Sequence, residues 1–144
     1  MIAIASDHAG IALKADLVRQ LQELGLEVED LGPDDPSSVD YPDYAHLLAS
    51  AVADGRVERG ILICGTGLGM SMTANRHPGV RAALCHDAYT AEMARRHNDA
   101  NVLCMGARTI GAGVAEQLVR VFVDTPFEGG RHQRRVAKIE REEP

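Results

Sequence analysis

Residues 61–71 read ILICGTGLGMS. Four apolar residues end in Cys64, and glycines then fall at every second position, at Gly65, Gly67 and Gly69. A short apolar run that ends in turn residues is the pattern of a buried strand, and the stretch around 71–75 reads as a short helix. Strand, tight turn and helix make the repeating unit of an α/β protein. The rest of the chain repeats it. Residues 2–5 are apolar, and Leu13, Leu17, Leu21 and Leu24 then recur at helical spacing before Gly25. LEVEDL at 26–31 alternates as a half-exposed or edge strand does, and GPDDPSSVDYPD at 32–43 is a long loop. Further strands are expected at 80–85 and 101–105, and helices at 44–54, 88–98 and 110–123. The expected fold has helices on both faces of a mostly parallel five-stranded sheet, with a helical tail after Gly129-Gly130.

Composition narrows the function. At 144 residues one domain is expected, spanning 1–144. Aromatics are 3% with no Trp, so the core must be aliphatic. A net charge of −6 weighs against binding nucleic acid, whose phosphates call for a basic surface. MIAIASDH lacks the basic start of a signal peptide, and no apolar run approaches the roughly 20 residues of a membrane span. Three cysteines without CxxC spacing argue against a disulfide framework or a zinc site. A reduced, cytoplasmic protein without a metal is the expectation.

In open α/β sheets ligands bind beyond the carboxyl ends of the strands. Asp7 and His8 fall there after the first strand, as do Cys64 and the glycines after the third. Two phosphate motifs fail on residues: GxGxxG would need glycine where Met70 stands, and GxxxxGK[ST] would need a lysine that is absent. A bare GTGLG still lets backbone N–H groups approach an anion or an oxyanion formed during reaction. A plain strand-to-helix turn explains it equally well, and a strand-ending cysteine is most often a small buried hydrophobe. His97 and Asn98 end a helix, where a cation and a capping Asn are ordinary. His46, His77 and His86 read as surface or structural. After the Gly-Gly pair, Arg131, His132, Arg134, Arg135 and Lys138 crowd a helix start that the macrodipole disfavours by about 0.3–1 kcal/mol per charge. An anionic ligand held by Arg131 and Arg135, one turn apart, would relieve that conflict.

Taken together, SDHAG (6–10), DYPDYA (40–45), ILICGTGLGMS (61–71), RRHNDANV (95–102), MGARTIG (105–111) and EGGRHQRRV (128–136) resemble the ribose-5-phosphate isomerase B family, which also contains allose- and galactose-6-phosphate isomerases. The resemblance runs over essentially the whole chain. It implies a Rossmann-like three-layer α/β/α sandwich, a homodimer or homotetramer with shared sites, and no cofactor. It implies aldose–ketose isomerisation of a sugar phosphate through a cis-enediolate. By the same resemblance Cys64 is the base, the backbone of Gly65, Gly67, Leu68 and Gly69 the oxyanion hole, and Thr66 lies near the ring oxygen. His97 assists ring opening, Asn98, Asp7, His8 and Tyr41 contact the sugar, and Arg108, Arg131 and Arg135 grip the phosphate. The arm at 127–144 would pack on a second subunit. One branch of the family carries a glutamate base where this sequence has Met70, which places the chain with the cysteine branch. A hexose 6-phosphate isomerase and a non-catalytic phosphometabolite-binding module are the competing readings.

Overall fold

The computed structural model describes residues 1–141. Five strands form one sheet: β1 (Ile2–Ser6), β2 (Val28–Asp30), β3 (Arg59–Cys64), β4 (Ala82–Leu84) and β5 (Val102–Gly106). Their order is β2-β1-β3-β5-β4, and every pairing is parallel. The helices are α1 (Ile11–Glu23), α2 (Tyr41–Ala53), α3 (Leu68–Ala74), α4 (Ala88–Asn98), α5 (Ala112–Asp124) and α6 (Arg131–Ala137). No described helix is long and apolar enough to cross a membrane.

Parallel strands need crossovers, and right-handed crossovers decide which face each helix covers. The chain moves one way from β1 to β2 and the other way from β2 to β3, so α1 and α2 cover opposite faces. The step from β3 to β4 continues outward and keeps α3 with α2. The return from β4 to β5 reverses direction and puts α4 beside α1. Two cores result. Ile4, Ile61, Ile63, Leu17, Leu118 and Phe122 pack on one face, and Ala5, Leu62, Leu48, Ala49, Met70 and Cys104 on the other. Central strands covered on both sides read as unbroken apolar runs, and β1, β3 and β5 are buried almost throughout.

Strands β2 and β4 are shorter than expected, β5 and α5 are shifted by one or two residues, and three helix boundaries differ more. Helix α2 starts at Tyr41 rather than Tyr44, because Pro42 sits in its first turn, where a missing N–H costs no hydrogen bond. Helix α3 begins at Leu68, directly out of the glycine loop. The tail helix α6 ends at Ala137, short of the run expected through 131–143, whose last residues lie outside the described ones.

Leu118 is fully buried on α5, whereas Leu47 on α2 is 54% exposed. Leu118→Ala is expected to lower the unfolding free energy by about 2–5 kcal/mol. Leu47→Ala should stay within about 0.5 kcal/mol of wild type. Urea titration of the two variants side by side checks both values.

Candidate active site

The sheet switches direction between β1 and β3, and at such a point the chain leaves on opposite faces and opens a crevice. The carboxyl ends of these strands carry the residues singled out in the sequence. Asp7 follows β1, is 8% exposed and accepts a hydrogen bond from the Ala9 N–H at 2.9 Å. His8 opens the turn into α1, and its Nδ1 accepts from the Val39 N–H at 3.2 Å. That bond leaves Nε2 of His8 to carry the proton when the ring is neutral. The loop that supplies Val39 is tied down from its other end. There the buried Lys14 donates through Nζ to Asp30 Oδ1 and to the Pro33 carbonyl, each at 2.7 Å.

Cys64 ends β3 beside Gly106 of β5. Its sulfur accepts the Gly67 N–H at 3.0 Å, so a negative sulfur has a donor already in place. Gly67 stands at φ +81°, and a Cβ there would lie 2.5 Å from Leu84 Cδ1 and 2.9 Å from the Met105 carbonyl carbon. Only glycine fits this position. A Cβ on Gly69 would run into the Tyr41 ring, which lies over the loop. Thr66 is exposed, and its Oγ1 accepts from Leu68 N–H at 3.3 Å. The turn after β5 clasps the loop from the other side, with Ala107 N–H on the Cys64 carbonyl at 2.8 Å and Arg108 N–H on the Gly65 carbonyl at 3.0 Å. The exposed Arg108 side chain reaches over Gly65. Met70 is fully buried and takes no part in the crevice. Burial pushes the Cys85 and Cys104 thiols up.

His97, Asn98, Arg131 and Arg135 lie elsewhere in the chain. A helix between parallel strands runs against them, so the end of α4 sits at the amino edge of the sheet. Asn101 lies there too, with its carbonyl accepting from Gly60 N–H at the start of β3. Strand β5 separates this edge from Gly106 and Cys64 by about 13 Å at some 3.3 Å per residue. The arm follows the amino edge. Glu128 N–H donates to the Arg96 carbonyl at 3.0 Å, and α6 buries His132 and Val136 while Arg131 and Arg135 face outward. No ion pair among the described residues involves Arg108, Arg131 or Arg135. A cavity of about 930 Å³ opens on this edge, with Asn98, Arg76, Arg81 and Ile139 on its wall.

One feature is a correction. Asn98 is not the cap of α4: Asp99 takes the left-handed position at φ 47°, so Asn98 is the last helical residue and is exposed. His46 and His77, read as surface or structural, share a hydrogen bond at 2.7 Å between Nδ1 and Nε2. Burial and then the neighbouring His46 lower the His77 imidazole below its ordinary value. Sequence reasoning also passed over Glu128. With His97 and His132 it brings three donor atoms within 4.8 Å of one another, a donor set that zinc uses. The two rings are stacked with planes 12° apart. An ion lies in the plane of each imidazole that binds it, and two rings stacked face to face do not share one.

A family model described as Ribose/Galactose Isomerase matches residues 2–139. Ribose-5-phosphate isomerase B of Escherichia coli is 47% identical over 138 residues, covering 96% of this chain and 93% of that protein. The structure of ribose-5-phosphate isomerase B from Clostridium thermocellum superposes with a TM-score of 0.94 at 48% identity, over 96% of this chain and 93% of the other. The Mycoplasma genitalium enzyme, solved with bound ribulose-5-phosphate, gives 0.92 at 46% identity over 96% and 92%. With the family model matched over residues 2–139 and a relative 47% identical over 96% of the chain, the chain belongs to the ribose/galactose isomerase family.

Proposed function

We propose that this protein interconverts ribose 5-phosphate and ribulose 5-phosphate through a cis-enediolate, at sites that each draw on two copies of the chain. The observation that carries the reading is the Cys64 sulfur held by the Gly67 N–H at 3.0 Å inside a loop of bare backbone. The relatives named above supply the substrate pair.

In the reaction, His97 moves a proton as the furanose opens, taking it from the anomeric hydroxyl or delivering it to the ring oxygen, with Thr66 beside that oxygen. The open chain presents an aldehyde at C1 and a hydroxyl at C2. Cys64 as thiolate removes the C2 proton, and the electron pair moves through C1 onto O1. Backbone N–H groups of Gly65–Gly69 receive the growing negative charge, a kind of donor that contributes roughly 2.7–4 kcal/mol each to lowering such barriers. The thiol returns its proton to C1, a proton passes from O2 to O1, and the ketose results. Asp7, His8, Tyr41 and Asn98 hold the hydroxyl groups, and Arg108, Arg131 and Arg135 hold the phosphate.

One copy cannot assemble this set, because Cys64 and His97 stand at opposite edges of the sheet. A second copy that brings its amino edge, with His97, Asn98, Arg131 and Arg135, to the first copy's carboxyl edge completes the site. Its arm, 127–144, then reaches across the interface. Tyr41, Leu68 and Met72, each more than 40% exposed around the glycine loop, give that copy an apolar seat. A homodimer meets this need twice by symmetry.

Cys64→Ala is expected to slow ribose 5-phosphate turnover by roughly 10²–10⁴-fold, the usual contribution of an acid–base group, with folding intact. Unchanged turnover would remove the thiolate from the mechanism. Arg131→Ala and Arg135→Ala should each raise KM by roughly 10- to 100-fold, from the 1.5–3 kcal/mol of a hydrogen bond to a charged group. Cys64→Ala and His97→Asn protein, each inactive on ribose 5-phosphate alone, should regain activity when mixed. After random exchange about a quarter of sites combine two intact halves. No recovery after demonstrated exchange would place each site within one copy.

A further inference from the structure

Glu128 has no role in the mechanism above, yet it sits at the centre of the amino-edge cluster. Its N–H bond to the Arg96 carbonyl fixes the start of the arm against the last turn of α4. Its carboxylate is divided between two imidazoles: Oε2 is 3.8 Å from His97 Nε2, and Oε1 is 3.7 Å from His132 Nε2. Arg96 approaches Oε2 at 4.0 Å, but its guanidinium is already engaged by Glu92 at 2.8 Å. His132 is 7% exposed and stacks on His97 with centroids 4.2 Å apart. One face of the His97 ring is thus covered, and its Nε2 edge looks at a carboxylate.

We propose that Glu128 is the positioning residue for His97, holding the Nε2–H edge of the imidazole while His132 backs its face, so that the proton of ring opening is handled at Nδ1. The inference rests on His97 as the ring-opening group. A neutral imidazole carries one proton, and the nitrogen facing an anion keeps it, which leaves the lone pair on the other. The charges around the pair come from Arg96 on α4, from Glu128, and from Arg131 and Arg135 on α6. Burial, then His97 and Arg131, lower the His132 imidazole below its ordinary value, against the pull of Glu128. At neutral pH His132 is therefore an uncharged wall, and the carboxylate's field falls on His97.

The substrate pair offers a readout that a merely structural role would not move. Ribulose 5-phosphate has its C5 oxygen esterified and no furanose ring to open, so in that direction the open-chain aldose can leave the site and close in solution without His97. Because the equilibrium constant ties the two kcat/KM values together, kcat at saturating substrate is measured in both directions for wild type, His97→Asn, Glu128→Gln and Glu128→Asp. Glu128→Gln is expected to lose about tenfold from ribose 5-phosphate, part of the 10²–10⁴ of an acid–base group, and far less from ribulose 5-phosphate. Glu128→Asp should recover part of the loss. Nitrogen-15 shifts of His97 should show an Nε2–H tautomer in wild type and a mixture in Glu128→Gln. Wild-type rates in Glu128→Gln, equal losses in both directions, or an unchanged tautomer would each overturn the proposal. If wild type does not isomerise, or His97→Asn loses both directions equally, the reading of His97 fails first and this inference falls with it.

Discussion

All four strand pairings are parallel, and that constraint governs where chemistry can sit in the molecule. Strand ends that carry Asp7, Cys64 and Arg108 gather at one edge. Helices must run back between strands, so the cationic end of α4 gathers at the other. The arm adds α6 to that second edge, held by the Glu128–Arg96 bond and the His97–His132 stack. The two groups of candidate site residues therefore lie at opposite edges of one sheet. The buried aliphatic core, covered on both faces, holds the two edges at a set separation.

Close packing does the rest at the carboxyl edge. The glycine loop lies between the Tyr41 ring, the β5 backbone and the Arg108 side chain, and its room is used up. Gly67 can donate to the Cys64 sulfur because it adopts positive φ without a Cβ in the way. The same packing separates the three thiols by environment. Cys104 is sealed in the core and Cys85 nearly so, where burial favours the neutral form, whereas Cys64 sits where the strand runs out and N–H groups begin.

Much of this was legible in the chain. The apolar runs at 2–5 and 61–64 marked central strands because a strand covered on both faces has no polar side to show. Helix α4 was legible to the residue, since Asp87 caps it through Thr90 N–H and a polar turn ends it. Short-range rules misplaced what depends on distant neighbours. Tyr41 joins α2 because the proline after it suits a first turn and its ring has Gly69 to cover. Asn98 looked like a cap, but Arg95 and Arg81 reach Asp99 from two elements and hold that residue in the left-handed turn. His46 and His77 are 31 residues apart, and only the packing of α2 on α3 brings them together.

By itself the sequence determined the strand–helix alternation, the cysteine ahead of its glycine loop, and the family motifs in their order. These are local properties, written in periodicity and residue type. Only the tertiary structure decided that the third strand lies beside the first and fifth, that Cys64 and His97 part company at opposite edges, and that Glu128 stands between two histidines. Each of these depends on crossover handedness and on contacts between segments remote in the chain, and no window of residues carries that information.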